Sequence, residues 1–264
     1  MIAVADYSLL PGDAPLLVSL PHDGIEIPPA VAADLQPAAL RVPDTDWHVA
    51  RLYAFARELG ASVLMPRLSR YVVDLNRPPD GALLYPGRAE TALCPTHSFD
   101  GEPLYRPGRE PDAVAVAARR ARYWQPYHDA LAAELQRLRA RHAAVLLWEG
   151  HSIRSRLPLL FDGELPALNL GTADGRSCAP AVQAALAQAL GHQQDYGWVI
   201  NGRFKGGYIT RHHGQPARGV HAVQLELAQR AYMDEQAGAW DGARALSLQP
   251  LLRALLQAGL AALP

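Results

Sequence analysis

Residues 144–151 read AVLLWEGH and residues 15–22 read PLLVSLPH. Each stretch is a short apolar run that meets a turn-forming residue and then a histidine. Runs of this length, bounded by turn signals, fit buried strands of a sheet covered on both faces. Further strands are predicted over 61–65, 71–75 and 165–170, and 220–227 alternates as a strand does. Helical spacing of Val49, Leu52, Tyr53, Ala56 and Leu59 predicts a helix capped by Asp44 or Thr45 and ended by Gly60. A long helical segment spans 112–142, kinked at Pro126, and shorter ones span 179–190 and 243–261. Strands and helices alternate along the chain, so the expectation is one α/β domain over residues 1–264. Several strands need crossovers, which favours a mixed, largely parallel sheet.

Composition narrows the function. Apolar residues make up 49 % of the 264 and charged residues 19 %, which is enough to build a core and too little charge for disorder. A net charge of −1 offers no footprint for nucleic acid or anionic membrane. The longest apolar run, 143–148, is far short of the ~20 residues that span a bilayer. The opening MIAVADYSLLPGDAP lacks a basic leader region. Two cysteines, Cys94 and Cys178, are too few for a disulfide scaffold and fit a reducing compartment. A cytoplasmic protein is expected.

Ligands in open α/β sheets bind beyond the carboxyl ends of the strands. His22 and His151, delivered there by separate strands, can meet over one crevice. Neutral imidazole is a common zinc ligand, and a catalytic zinc takes three protein ligands and keeps one open position. The alternative is that these histidines only hydrogen-bond at strand ends. Asp46, Asp44, Glu26 and Glu149 are candidates for a third ligand; Glu149 also suits a partner that fixes an imidazole tautomer. In VHAVQLELA (220–228), alternation puts Ala222, Gln224 and Glu226 on one face. A carboxylate inside so apolar a strand is costly unless it is paired or functional, so Glu226 is a candidate general base. The alternative is an edge strand with a solvated face.

Basic residues gather in RLSRYVVDLNR (Arg67, Arg70, Arg77) and NGRFKGGYITRHH (Arg203, Lys205, Arg211). Such clusters suit an anionic substrate, because the guanidinium fork matches a carboxylate. The glycine-rich NGRFKGG lacks P-loop spacing. EGHSIRS does not match a serine-hydrolase elbow. His128 is expected to be a surface or packing residue of the long helix, and the tandem His212 and His213 cannot easily face one site. The Pro- and Gly-rich stretch 77–109 is expected to be an ordered excursion forming a lid or wall.

Taken together, LVSLPHDGIEIP, DTDWHVARLYAFARELGASV, SRYVVDLNRPPDG, ALCPTHSFDGEPLYR, WEGHSI, INGRFKGGYITRHHG and GVHAVQLELAQRAYMDE resemble the N-formylglutamate amidohydrolases of bacterial histidine breakdown. The resemblance covers residues 17–235. It implies a three-layer α/β/α fold like that of zinc carboxypeptidases and aspartoacylases. It further implies His22, His151 and Asp46 as metal ligands, with Glu26 as the substitute for Asp46. The metal would be Zn²⁺, with Co²⁺ or Mn²⁺ as alternatives. Asn76 and Arg77 would bind substrate and polarise the carbonyl, Glu226 would be the base, and Arg70, Lys205 and Arg211 would hold carboxylates. The implied reaction is hydrolysis of the dianion N-formyl-L-glutamate. Alternatives are another N-acyl amino acid as substrate, or a metal-free protein that binds acidic amino acids. Asp23 departs from the family pattern, where a small uncharged residue is usual.

Overall fold

The computed structural model describes residues 6–84, 87 and 89–264. Tyr85, Pro86 and Arg88, part of the expected 77–109 excursion, lie outside the described residues. Seven strands form the main sheet: β1 (Tyr7–Leu10), β2 (Leu16–Ser19), β3 (Ser62–Pro66), β4 (Val145–Ile153), β5 (Leu168–Gly171), β6 (Trp198–Ile200) and β7 (Val220–Ala228). Their order is β1-β3-β2-β4-β7-β5-β6. The pairs β2–β3, β2–β4, β4–β7 and β5–β6 are parallel, and β1–β3 and β5–β7 antiparallel. The sheet is mixed and largely parallel, as the crossovers require.

Alternation along the central strands sorts the core into two layers. Leu16, Val18, Leu146, Trp148, Val223 and Leu225 face one side, where the cluster continues into Val182, Leu186, Leu248, Leu252 and Leu255. Those residues belong to α5 (Pro180–Gly191) and α7 (Gly242–Ala261). Leu17, Val145, Leu147 and Ala222 face the other side, against Tyr127, Leu131, Leu135 and Leu138 of α4 (Gln125–Arg139). This is a three-layer α/β/α arrangement with both faces of the sheet buried. Each fully buried Leu or Val contributes roughly 1.5–3 kcal/mol of transfer free energy.

Three expectations need correction. The 71–75 run is buried but is not a strand. Val72 N–H donates to Ser69 O and Asp74 N–H to Leu93 O, so no ladder forms. Carbonyls of this run and of Arg77 just after it are met by the helical layer: Arg119 donates to Val72 O, His128 to Leu75 O and Trp124 to Arg77 O. Burial of Tyr71, Val73 and Leu75 mimics strand alternation, while side chains, not a neighbouring strand, satisfy the backbone.

The helix expected from residue 44 begins only at α2 (Val49–Leu52), preceded by His48 at φ 64°, and continues as a 3₁₀ turn (Ala54–Leu59). Neither Asp44 nor Thr45 caps it; Asp23 Oδ1 accepts from Ala50 N–H at 3.0 Å instead.

The third concerns only the form of the irregularity at Pro126, which is a π turn. The long helix is α3 (Ala113–Arg119), a π turn (Arg120–Trp124) and α4, with Pro126 in the first turn of α4. A proline lacks the N–H and clashes with the carbonyl four residues back, and the wider turn relieves both. The strands β1 and β6, and the helix α6 (Tyr208–His213), were not anticipated. Among the described residues no helix is long and apolar enough to cross a membrane.

Candidate metal centre and active site

Three strands end on one crevice. β2 leads to His22, β4 carries Glu149 and His151, and β7 carries Gln224 and Glu226. In the parallel β4–β7 register Glu149 lies opposite Gln224 and His151 opposite Glu226. All four share the face on which Val145, Leu147 and Ala222 pack farther down. The apolar layer therefore gives way to a polar floor at the carboxyl edge.

His22, Asp46 and His151 are all buried, and each offers a ligand atom within 4.8 Å of the others. Asp46 arrives on the 44–48 turn, whose Asp46 N–H donates to His22 O at 3.1 Å. His151 Nδ1 lies 3.0 Å and His22 Nδ1 3.9 Å from Asp46 Oδ2. Each imidazole is held from behind by a buried carboxylate: His22 Nε2 by Asp74 Oδ1 at 2.7 Å, and His151 Nε2 by Glu149 Oε1 at 3.0 Å. A carboxylate on Nε2 keeps the proton there and leaves Nδ1 to a cation, which is the usual backing of a metal-bound histidine. Asp46 Oδ1 is buried and accepts no hydrogen bond. An orphaned carboxylate oxygen beside two oriented imidazoles is a donor set that fits a divalent metal.

Electrostatics follow from this packing. Burial and the Arg70 guanidinium hold His22 below the ordinary imidazole range despite Asp74. His151 is equally buried, but its hydrogen bonds to Asp46 and Glu149 outweigh the desolvation and hold it well above that range. Burial pushes the Glu226 carboxyl up to about 8. Asp74 is buried too, yet His22, Arg70 and Arg77 keep it well below the usual carboxylate range.

His22, His151 and Glu226 open onto a cavity of about 60 Å³. Arg70, Asn76, Arg77, Arg203 and Gln224 supply its polar wall, and Phe99, Ile153, Leu160 and Phe204 its apolar wall.

The family model for N-formylglutamate amidohydrolases matches residues 14–233. The chain belongs to the N-formylglutamate amidohydrolase family. It is 53 % identical over 251 residues to a Pseudomonas aeruginosa protein named N-formylglutamate deformylase, covering 95 % of this chain and 94 % of the relative. A Pseudomonas putida protein of the same name is 49 % identical over the same shares. Among solved structures, the N-formylglutamate amidohydrolase of Ralstonia eutropha superposes with a TM-score of 0.79 at 27 % identity, covering 98 % of this chain and 97 % of that one. A gene product of Agrobacterium tumefaciens shares the fold, with a TM-score of 0.69 at 20 % identity over 96 % of both chains.

Within this amidohydrolase scaffold the residues singled out in the sequence divide into two groups. His22, Asp46, Arg70, Asn76, Arg77, His151 and Glu226 come together. Glu26 does not: its carboxylate is half exposed and forked by Arg67 at 2.9 and 3.1 Å, so it is no substitute for Asp46. Asp44 is occupied by the Tyr71 hydroxyl, the Phe99 N–H and Arg154. Lys205 and Arg211 do not line the cavity. The Lys205 ammonium pairs with Asp174 at 3.0 Å, and Arg211 donates to Gly206 O and Leu84 O. The sequence places both in a basic cluster, but the loop 201–207 and α6 turn them elsewhere. Arg203, from that cluster, lines the cavity instead. Asp23 has a structural role, its Oδ1 accepting from Ala50 N–H at the start of α2.

Two contributors escaped the sequence reading. Asp74 gave no signal, because DLNR reads as a strand end. Gln224 was placed on the Glu226 face by alternation but given no role; its Oε1 accepts from Gly207 N–H at 2.7 Å and its Nε2 lies 3.4 Å from Glu226 Oε2. Gly207 must be glycine: a Cβ there would sit 2.3 Å from the Asn76 amide nitrogen. The Asn76 Oδ1 accepts from Ile209 N–H, and its Nδ2 lies 3.0 Å from His151 Nε2. That nitrogen has one hydrogen or one lone pair, so it serves Glu149 or Asn76 and not both. With its proton given to Glu149, the Asn76 amide hydrogens are left for a ligand in the cavity.

Proposed function

We propose that this chain hydrolyses N-formyl-L-glutamate to formate and L-glutamate, using one divalent metal held by His22, Asp46 and His151. The observation that carries the metal reading is the buried triangle of these residues, with each imidazole backed by a carboxylate and Asp46 Oδ1 without a hydrogen bond. The Pseudomonas relatives named for this reaction, at 53 and 49 % identity, support the substrate. Two nitrogen donors and one carboxylate suit Zn²⁺, with Co²⁺ or Mn²⁺ as alternatives. The assignment to the last step of a histidine degradation route rests on the family alone. Buried free thiols at Cys94 and Cys178 suit a reducing cytoplasm.

When bound, the metal acidifies a water and polarises the formyl carbonyl. Glu226 takes the proton of the attacking water: burial holds its carboxyl near 8 without a metal, and a cation bound beside it would lower that value, so that the group is ionised to accept the proton and still basic enough to hold it until it is returned. The proton then passes to the leaving amine, which departs as glutamate. Arg70 is the better-placed cation for the developing oxyanion. Its Nη1 lies 3.7 Å from Asp46 Oδ1, its Nη2 is fixed to Asp74 at 2.7 Å, and its guanidinium stacks over Phe99. One such preorganised donor is worth roughly 3 kcal/mol. Arg77 is anchored to Thr91 O, Thr91 Oγ1 and Asn76 O. This reverses the roles expected from the sequence: Arg77 with Asn76 holds a substrate carboxylate, and Arg70 polarises. The cavity volume of about 60 Å³ suits a formyl-sized group, with the remaining substrate toward the mouth.

The test combines metal analysis of protein purified without chelator with kinetics on N-formyl and N-acetyl amino acids. About one equivalent of divalent metal and a clear preference for N-formylglutamate are expected. Activity that survives complete metal removal would end the metal reading. Equal turnover across the panel would end the substrate reading.

A further inference from the structure

We infer that Arg203 is the residue that recognises the second carboxylate of the substrate, and so sets the preference for glutamate over its uncharged analogues. The inference rests on the proposed deformylase reading and deepens it. Of the basic residues in the 201–211 segment, Arg203 lines the cavity, whereas Lys205 and Arg211 do not. A dianion needs two cationic contacts, and Arg70, fixed to Asp74, is the arginine assigned to the oxyanion. Arg77 and Arg203 are the other arginines among the described residues that line the cavity, each held at its wall by backbone carbonyls.

Their spacing is set by one short segment. Arg77 Nε donates to Thr91 O at 2.8 Å, and Arg203 Nη2 donates to Ala89 O at 2.9 Å. Residues two apart in sequence are separated by at most about 7 Å, so both guanidiniums are moored within the reach of one small molecule. Arg203 is also fixed by a second carbonyl, where its Nε donates to Leu160 O at 2.8 Å, and its guanidinium lies 5.3 Å from the Phe204 ring centre. Leu160, Phe204 and Phe99 supply an apolar surface for the methylenes that join the two carboxylates of glutamate. Glu90, between the two moorings, also lines the cavity and accepts from Leu84 N–H. An acid at that position opposes a monoanionic or neutral side chain less than a dianion, so recognition of the dianion depends on both arginines. Charge-assisted, two-pronged contacts are the strong class of hydrogen bond.

The experiment compares kcat/KM for N-formyl-L-glutamate and N-formyl-L-glutamine in the metal-loaded wild type, Arg203→Gln and Arg203→Lys. It also measures binding of the product L-glutamate by calorimetry. The wild type is expected to favour the glutamate substrate. In Arg203→Gln that ratio falls at least ~10-fold, mainly through KM, and L-glutamate binding weakens by a similar factor with metal content unchanged. Arg203→Lys, which keeps the charge and loses the fork, falls between the two and supplies the reading if the glutamine variant does not fold. A wild-type ratio retained in both variants, or equal loss on both substrates, overturns the assignment of Arg203. Failure of the wild type itself to hydrolyse N-formylglutamate would instead overturn the deformylase reading.

Discussion

His151 and Glu226 are direct register partners on the parallel strands β4 and β7, so a metal-ligand candidate and a base candidate are held side by side by the sheet itself. Neither depends on a loop for its position. The ladder fixes their separation, and the shared face points both into the cavity. Glu226→Gln keeps the shape and removes the base. Hydrolysis is expected to fall at least ~100-fold, with metal content by elemental analysis unchanged. Near-normal formate release by that variant would place the base elsewhere.

Metal uptake by the metal-free protein is expected to release protons. His151 lies between Asp46 and Glu149, which together hold it well above the ordinary range, so at pH 7 it carries a proton on each nitrogen. A cation can take Nδ1 only after that proton leaves. Glu226, near 8, is also protonated at pH 7, and a new positive charge beside it lowers its affinity for the proton. Calorimetric titration in buffers of different ionisation enthalpy should therefore report a net release of protons, smaller for Glu226→Gln. No dependence on buffer would contradict this arrangement.

The central strands were legible in the sequence because burial on both faces leaves a local signature. LLVS and VLLW have no polar interruption, and VHAVQLELA shows its polar face by alternation. His22, His151 and Glu226 were legible for the same reason, since each sits on or just past such a strand. Asp74 was hidden because its importance is tertiary: it backs His22 from a segment whose hydrogen bonds go to Leu93 O and helical side chains. Lys205 and Arg211 were misplaced because residue type reports charge, whereas the direction of a side chain on a loop or a six-residue helix is set by contacts distant in sequence.

Asp46 and Glu26 provide a contrast in metal affinity. Asp46 is buried, within reach of both histidines, with one oxygen unbonded; Glu26 is paired with Arg67 at the surface. Asp46→Asn is expected to weaken metal binding at least ~10-fold, a change readable by competition with a chromophoric chelator. Loss of a carboxylate that contacts a ligand histidine alone typically costs 10–100-fold, so loss of the ligand itself should not cost less. Glu26→Gln should leave metal affinity unaltered, and stability within about 0.5 kcal/mol, because exposed ion pairs contribute little. A strong metal defect in Glu26→Gln would return it to the ligand set.

The same burial that prepares Glu226 for catalysis should make the metal-free protein pH-sensitive. Below the ordinary carboxylate value of 4.5 the group is neutral whether the chain is folded or unfolded, and it has no effect on the balance. Between 4.5 and about 8 the unfolded chain gives up the proton while the folded chain keeps it. The folded state then binds more protons, so its stability falls as pH rises. Above about 8 both states are ionised and the loss is constant. Each pKa unit corresponds to ~1.4 kcal/mol, which sets an upper bound of about 5 kcal/mol on this term. Glutamine does not ionise, so Glu226→Gln should match the wild type near pH 4.5 and exceed it increasingly toward pH 8, when both are stripped of metal. Thermal unfolding across that range checks this, and parallel curves for the two proteins would mean that Glu226 ionises in the folded state as readily as in water.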